Sequence, residues 1–168
     1  MSEPPPPQFS FLPLAEADLP LIARWLDAPH VREWWGDPQA ELANITAHLD
    51  DPQVDPYRVD LADRPIAYLQ CYRVWPNPPA AFRDQPCGAC GIDLFIGEPD
   101  CLGRGLGRAM IRQFVAWLFA VTDAPCVIID PDPANRRAIR SYEKAAFRHL
   151  RPAVTPCGPA ALMVITRP

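Results

Sequence analysis

The chain of 168 residues has no run of about eighteen apolar residues, so no segment is a candidate membrane-spanning helix. Its opening, Met1-Ser2-Glu3 and four prolines, lacks the basic and apolar regions of a signal peptide, and a cytoplasmic location is expected. An excess of basic residues is missing as well. A formal charge of −4 leaves no footprint for nucleic acid and suits a cationic small molecule better, although such a charge decides little. Histidine is scarce, with only three residues, and no cluster has the ligand spacing of a metal site. Cys87-Gly88-Ala89-Cys90 has no second pair to complete a zinc site and no thioredoxin-like context, so these read as incidental thiols near a strand start. All six cysteines are expected to be reduced. No Gly-Lys-Ser/Thr follows the glycine-rich turn, which excludes a phosphate-loop NTPase, and the dinucleotide fingerprint is absent.

What is abundant is proline, with 23 residues. Residues 1–8 are expected to be a mobile polyproline-like tail, and 9–168 one domain large enough to bury a core. Phe9 to Leu14 reads as a strand, and Ala15 to Leu26 as a helix with Leu19, Ile22, Ala23 and Leu26 on one face. His30 to Trp35 and Ala40 to Leu49 read as further helices, with His48 a surface or packing residue. Tyr57 to Leu61 and Pro65 to Val74 read as a hairpin in which Tyr68, Gln70 and Tyr72 share a face. Trp75 to Pro86 is expected to be loop. Phe147 to Thr155 and Ala160 to Thr166 close the sheet as a second hairpin.

The informative stretch runs from Gly91 to Phe147. Gly91-Ile92-Asp93-Leu94-Phe95-Ile96 is an apolar strand, and Leu102-Gly103-Arg104-Gly105-Leu106-Gly107 a glycine-rich turn opening an amphipathic helix. A bare helix N-terminus offers unpaired N–H groups and a positive dipole end, which suit a phosphate or pyrophosphate. Cys126 to Asp130 is a short buried strand, parallel to the first through a right-handed crossover. Asp132 is the expected cap of the last helix, with Pro133 at its first position.

These motifs, with Asp132-Pro133…Asn135 and Arg140-Ser141-Tyr142-Glu143-Lys144-Ala145, resemble the GCN5-related N-acetyltransferase (GNAT) superfamily. The aminoglycoside 6′-N-acetyltransferase branch is the nearest likeness, and it extends to Glu33-Trp34-Trp35 and to Thr155-Pro156…Gly158-Pro159-Ala160…Met163-Val164. The resemblance implies an α/β (α+β) fold. It has a mostly antiparallel sheet of about seven strands, splayed between Asp93 and Ile128, with helices on both faces.

It also implies acetyl-coenzyme A as cosubstrate without metal, and a primary amine of an aminoglycoside or similar polyamine as acceptor. Leu102 to Gly107 and Asn135 would hold the coenzyme. Asp93 would be the general base and Tyr142 the acid that protonates the leaving sulfur. Trp34, Trp35, Asp93 and Asp130 would contact the acceptor. A monomer or homodimer is expected, with no nucleic acid or membrane partner.

The chain departs from the branch in two places. The loop Trp75 to Asp84, acidic and tryptophan-rich in the aminoglycoside enzymes, here has few acids and an added Arg83, which bears on aminoglycoside affinity. Ala146 replaces the usual glycine after the last helix, at a cost of roughly 1 kcal/mol if its φ is positive. Other readings remain open. One is acyl transfer to a siderophore-type or protein amine, of which the siderophore branch relies on a histidine near the central strands. The other is a coenzyme-binding module without catalysis, which should have lost the acid or the base.

Overall fold

The computed structural model describes residues 6–168. Seven strands form one sheet in the order β1-β2-β3-β4-β5-β7-β6, spanning β1 Phe9–Pro13, β2 Val54–Leu61, β3 Arg64–Arg73, β4 Cys90–Ile96, β5 Cys126–Ile129, β6 Arg148–Thr155 and β7 Gly158–Thr166. All neighbours are antiparallel except β4 and β5. The helices are α1 Leu19–Leu26, α2 Pro29–Trp35, α3 Pro38–His48, α4 Leu106–Val121 and α5 Arg136–Lys144. The first hairpin closes on Ala62 and Asp63, both left-handed at φ 49 and 62, as a two-residue turn between twisted strands requires.

Alternation along the strands sorts the helices onto the two faces. Ala67, Leu69, Cys71 and Ile92 pack with Met110, Ile111, Phe114 and Tyr142 beneath α4 and α5. Tyr68 and Phe95 point the other way and pack with Ile22, Trp25, Leu26, Val31 and Ile45 of α1 to α3. A third apolar group, including Phe82, Ile128, Leu162 and Val164, lies under the segment 75–86.

β4 pairs with β5 at Cys90–Val127 and Gly91–Ile128, and there the ladder stops. β4 runs on along β3 to Ile96, while β5 continues to Ile129 beside β7. The sheet therefore splays in the interval where the sequence places Asp93.

Several expectations are corrected. Residues 1–5 of the expected tail lie outside the described residues, and its described end is held. The Gln113 side chain of α4 donates to the Pro7 carbonyl and accepts from Phe9 N–H at 3.2 Å. The segment 75–86 carries a 3-10 turn at Ala80–Phe82 with Ala81 and Phe82 buried. Arg151 of β6 pins it, donating to Asp84 at 2.8 Å and to the Ala81 carbonyl at 2.8 Å. The cap of α5 is Asn135, not Asp132. Asn135 accepts from Ala138 N–H at 3.1 Å, while Asp132 accepts from Ala134 N–H at 2.7 Å. Asp132 thus closes an Asx turn over Pro133 instead of starting the helix, a competition that short side chains make possible. Cys87 is exposed, whereas Cys90 is buried beside Cys71, whose S–H donation lowers the Cys90 thiol pKa.

Candidate active site

The glycine-rich turn delivers the expected bare helix end. Gly103 and Gly105 are left-handed at φ 74 and 75, a conformation that a side chain would strain. Gly105 has no side chain to cap α4, and the first helical bond runs from Ala109 N–H to the Gly105 carbonyl at 3.2 Å. The N–H groups of Leu106, Gly107 and Arg108 are thus left without an intrahelical acceptor. The Leu106 side chain is buried in the core, so this residue has only its main chain to offer a ligand. Arg104 and Arg108 stand exposed at the same mouth. Such an end fits a pyrophosphate, the anionic part of coenzyme A.

Asp93 lies on the α3 side of the sheet, opposite Gln70. Its carboxylate accepts from Gln70 Nε2 at 2.8 Å. Burial pushes its pKa up, with the Gln70 bond and nearby His48 pulling the other way. Asp130 follows β5, just past the end of the parallel ladder. Burial and then the Asp93 charge raise it to about 7. A main-chain hydrogen bond pulls the other way. Glu41 on α3 is raised by burial too, with Asp93 and Asp37 adding to the shift and Asn44 and His48 opposing it. Three carboxylates, one on α3, one in β4 and one just past β5, thus lie within one another's field, and none of them forms an ion pair among the described residues.

Tyr142 approaches from the α5 side. Its ring packs against Phe147 at 6.1 Å between centroids, and the residue is 7% exposed. The phenol pKa is pushed well up by burial, then by the charges of Asp93 and Asp130. The hydroxyl has no hydrogen-bond partner among the described residues, where no buried side-chain oxygen or nitrogen is orphaned. It therefore retains contact with solvent. The splay brings this phenol within the field of the two carboxylates on the opposite face.

The end of α5 fixes that tyrosine. Phe147 N–H donates to the Tyr142 carbonyl at 3.0 Å and Ala146 N–H to the Glu143 carbonyl at 3.0 Å, with Ala146 at φ 76. This is a Schellman turn with alanine in the place that glycine normally takes. Its φ is positive, so the condition attached to this alanine is met.

The two tryptophans separate. Trp35 sets its ring edge-on to Tyr68 at 6.1 Å and to Phe95 at 4.9 Å, beside the Asp93 network. Trp34 is 38% exposed, on the outer side of α2 from that network. Asn135 is committed to capping α5, which leaves its amide N–H groups for a ligand.

Sequence reasoning missed four cleft residues. Tyr72 lies over Gly91: a Cβ on that glycine would fall 2.1 Å from the tyrosine Cζ and 2.4 Å from its hydroxyl. Gln70 is buried and bonded to Asp93. Glu41 and His48 stand two turns apart on α3. His48, expected to be a surface or packing residue, hydrogen-bonds Gln70 at 3.0 Å instead. The available signals were the polar run Tyr68, Gln70, Tyr72 on one face of a central strand, and a glycine inside another.

A splayed parallel pair beside an uncapped helix N-terminus is the architecture of a coenzyme-A acyltransferase. The family model described as an acetyltransferase (GNAT) domain matches residues 15–154, and the chain belongs to that family, as the sequence motifs implied. Within it, the chain is 36% identical over 162 residues to Aminoglycoside N(6′)-acetyltransferase type 1 of Klebsiella pneumoniae, covering 92% of this chain and 81% of the relative. Among solved structures it is similar to AAC(6′)-Ib in complex with coenzyme A and kanamycin, with 33% identity, a TM-score of 0.84 and coverage of 95% of each chain. The aminoglycoside N(6′)acetyltransferase of Legionella pneumophila has 27% identity and a TM-score of 0.79, covering 94% of this chain and 91% of that one.

Proposed function

We propose that this acetyltransferase moves the acetyl group of acetyl-coenzyme A onto a primary amine, the 6′-amino group of an aminoglycoside or that of a similar polyamine, within a ternary complex. The observation that carries the reading is the set of carboxylates, Glu41, Asp93 and Asp130, lying within one another's field with no Lys or Arg paired to any of them among the described residues. Like charges brought together and partly desolvated are costly, and an ammonium-bearing ligand removes that cost. The segment 75–86 contributes little to this field, because its Asp84 is neutralised by Arg151. Glu41 from α3 takes over as an acidic wall. Likeness to enzymes solved with kanamycin and with ribostamycin supports the same acceptor class.

In this reading Leu102 to Gly107 hold the pyrophosphate through main-chain N–H groups. Asn135 and the Arg104 charge lie along the coenzyme. Asp93 takes the ammonium proton, directly or through water, and its raised pKa makes it the better acceptor. The freed amine attacks the thioester carbonyl, Tyr142 gives its proton to the departing sulfur as the C–S bond breaks, and the second proton that the nitrogen sheds in becoming an amide restores the phenol. A phenol pKa held high keeps that proton in place until the thiolate forms. Asp130, Glu41 and Trp35 bind the remaining ammonium groups and the sugar face.

Release of free thiol from acetyl-coenzyme A, screened with kanamycin, tobramycin, spermidine and a lysine peptide, tests the proposal. Aminoglycosides should support release, and Asp93→Asn and Tyr142→Phe should each slow it about 10²–10⁴-fold. Unchanged rates in both variants would remove the assigned roles. Release with spermidine and none with aminoglycosides would remove the acceptor assignment.

A further inference from the structure

The amide of Gln70 links α3 to Asp93, and its orientation is forced. Its Oε1 receives the Tyr68 hydroxyl at 2.7 Å and lies 3.0 Å from His48 Nδ1, while its Nε2 donates to Asp93 Oδ2 at 2.8 Å. The opposite flip would place the amide oxygen against a carboxylate oxygen and aim the NH₂ at a phenol that has its own proton to give. Since Oε1 can only accept, Nδ1 of His48 must carry the proton. Tyr68 is fully buried, so the network is anchored on one side by the sheet and on the other by a helix.

That helix is unusual in what it buries. Of the eleven residues in α3, only Ile45 is fully buried. Glu41, Asn44 and His48 recur at intervals of three and four and so share one face. α3 contributes little core, and part of its surface is polar and turned to the cleft.

We propose that His48 is a positioning residue for the acyl-transfer reaction: through Gln70 it fixes the direction from which Asp93 meets the acceptor amine. The inference rests on the reading of Asp93 as the base. His48 acts on Asp93 by two routes. The Nδ1–H holds the Gln70 amide so that its NH₂ points at one carboxylate oxygen, leaving Oδ1 free for the amine. The ring's positive charge, when present, opposes the burial that raises Asp93. The charged and titratable groups around this ring are Glu41 on its own helix and Tyr68 and Asp93 on the sheet. Asp130 lies beyond Asp93, and Cys157 of the β6–β7 turn is within range of Glu41, Asp93 and Asp130.

The test compares His48→Phe, which keeps the ring volume and removes the donor, with His48→Asn, whose amide NH₂ can stand in for Nδ1–H. Thiol release is followed from pH 5.5 to 9 at saturating acetyl-coenzyme A with kanamycin as the probe acceptor. H48F is expected to lower kcat by about 5- to 50-fold with KM for kanamycin changed less than threefold. The acid limb of its kcat profile should move to higher pH, because Asp93 loses a neighbour that favours its charged form. H48N is expected to recover kcat to within about threefold of the unmodified chain. The proposal is overturned if H48F keeps kcat within twofold with an unmoved acid limb, or if H48N is as slow as H48F. Should H48F fail to fold, Gln70→Leu in its place removes the link and must give the same loss of kcat and shifted limb. A normal rate in Asp93→Asn would refute the base assignment itself. A slow Asp93→Asn beside a normal H48F would refute the His48 role alone.

Discussion

Gly91→Ala is the substitution whose outcome the structure fixes most closely. Gly91 sits in β4 with ordinary extended backbone, so alanine carries no conformational penalty there. Stiffening the unfolded chain should even stabilise the protein by about 0.4–1 kcal/mol. Against this stands the Tyr72 ring, whose Cζ, Cε2 and hydroxyl would lie 2.1, 2.3 and 2.4 Å from the new methyl group. Carbon atoms in contact need about 3.5 Å, so the ring must move by more than an ångström. Overpacking of this kind costs about 1–3 kcal/mol. The net expectation is a loss of about 1–2 kcal/mol, or roughly 2–8 °C in Tm for a chain of this size. A double-mutant cycle read by urea unfolding separates the terms. In a Tyr72→Ala background the obstruction is gone, and the same glycine replacement should stabilise. The ring to be displaced lies within the field of Asp93 and Asp130, so KM for the acceptor should rise more than KM for acetyl-coenzyme A. A G91A protein as stable as the parent, or an equal loss with and without Tyr72, would refute the packing argument.

Two further outcomes follow from single residues. Ala146→Gly relieves a left-handed alanine that is exposed and loses no packing, so it should stabilise by about 0.5–1 kcal/mol and leave kcat unchanged; a midpoint no higher than the parent's in thermal unfolding would count against it. Asp130 has a folded pKa raised to about 7 from 3.8, so between those values the folded chain holds a proton that the unfolded chain has released. Stability should therefore fall as pH rises through that window, and Asp130→Asn should lose that part of the slope. At pH 8 the asparagine variant should be the more stable by on the order of 1–3 kcal/mol, while binding kanamycin more weakly; parallel stability profiles from pH 4 to 8 would sink this.

The motifs with strict spacing were legible before any coordinates. The glycine-rich turn and the parallel crossover follow from chain-local chemistry, whereas the splay at Asp93 was implied by the family resemblance, and the place of Ala146 after a helix raised the question of its φ without fixing it. The boundaries that failed did so where two short side chains compete, as with Asp132 and Asn135 for the start of α5. What could not be read was the cleft's far wall. Glu41 and His48 lie on a helix with little apolar pattern, and nothing local says which sheet residue they face. Gln70 was placed on the correct face, but its partner Asp93 is 23 positions away along the chain and is met only through strand register. Trp34 and Trp35 illustrate the limit in another way. Helical spacing says that one must turn outward, and only packing against Tyr68 and Phe95 decides which.

The short ladder between β4 and β5 divides the sheet mechanically. On one side β1 to β4 form an antiparallel four-stranded unit in chain order, and on the other β5, β7 and β6 form a separate three-stranded unit. Two residue pairs stitch these halves at the strand level, so the seam is the weakest line through the molecule and the first to breathe. Anything lodged along it touches both halves at once and resists their parting, so occupancy of the coenzyme channel and rigidity of the whole enzyme rise together.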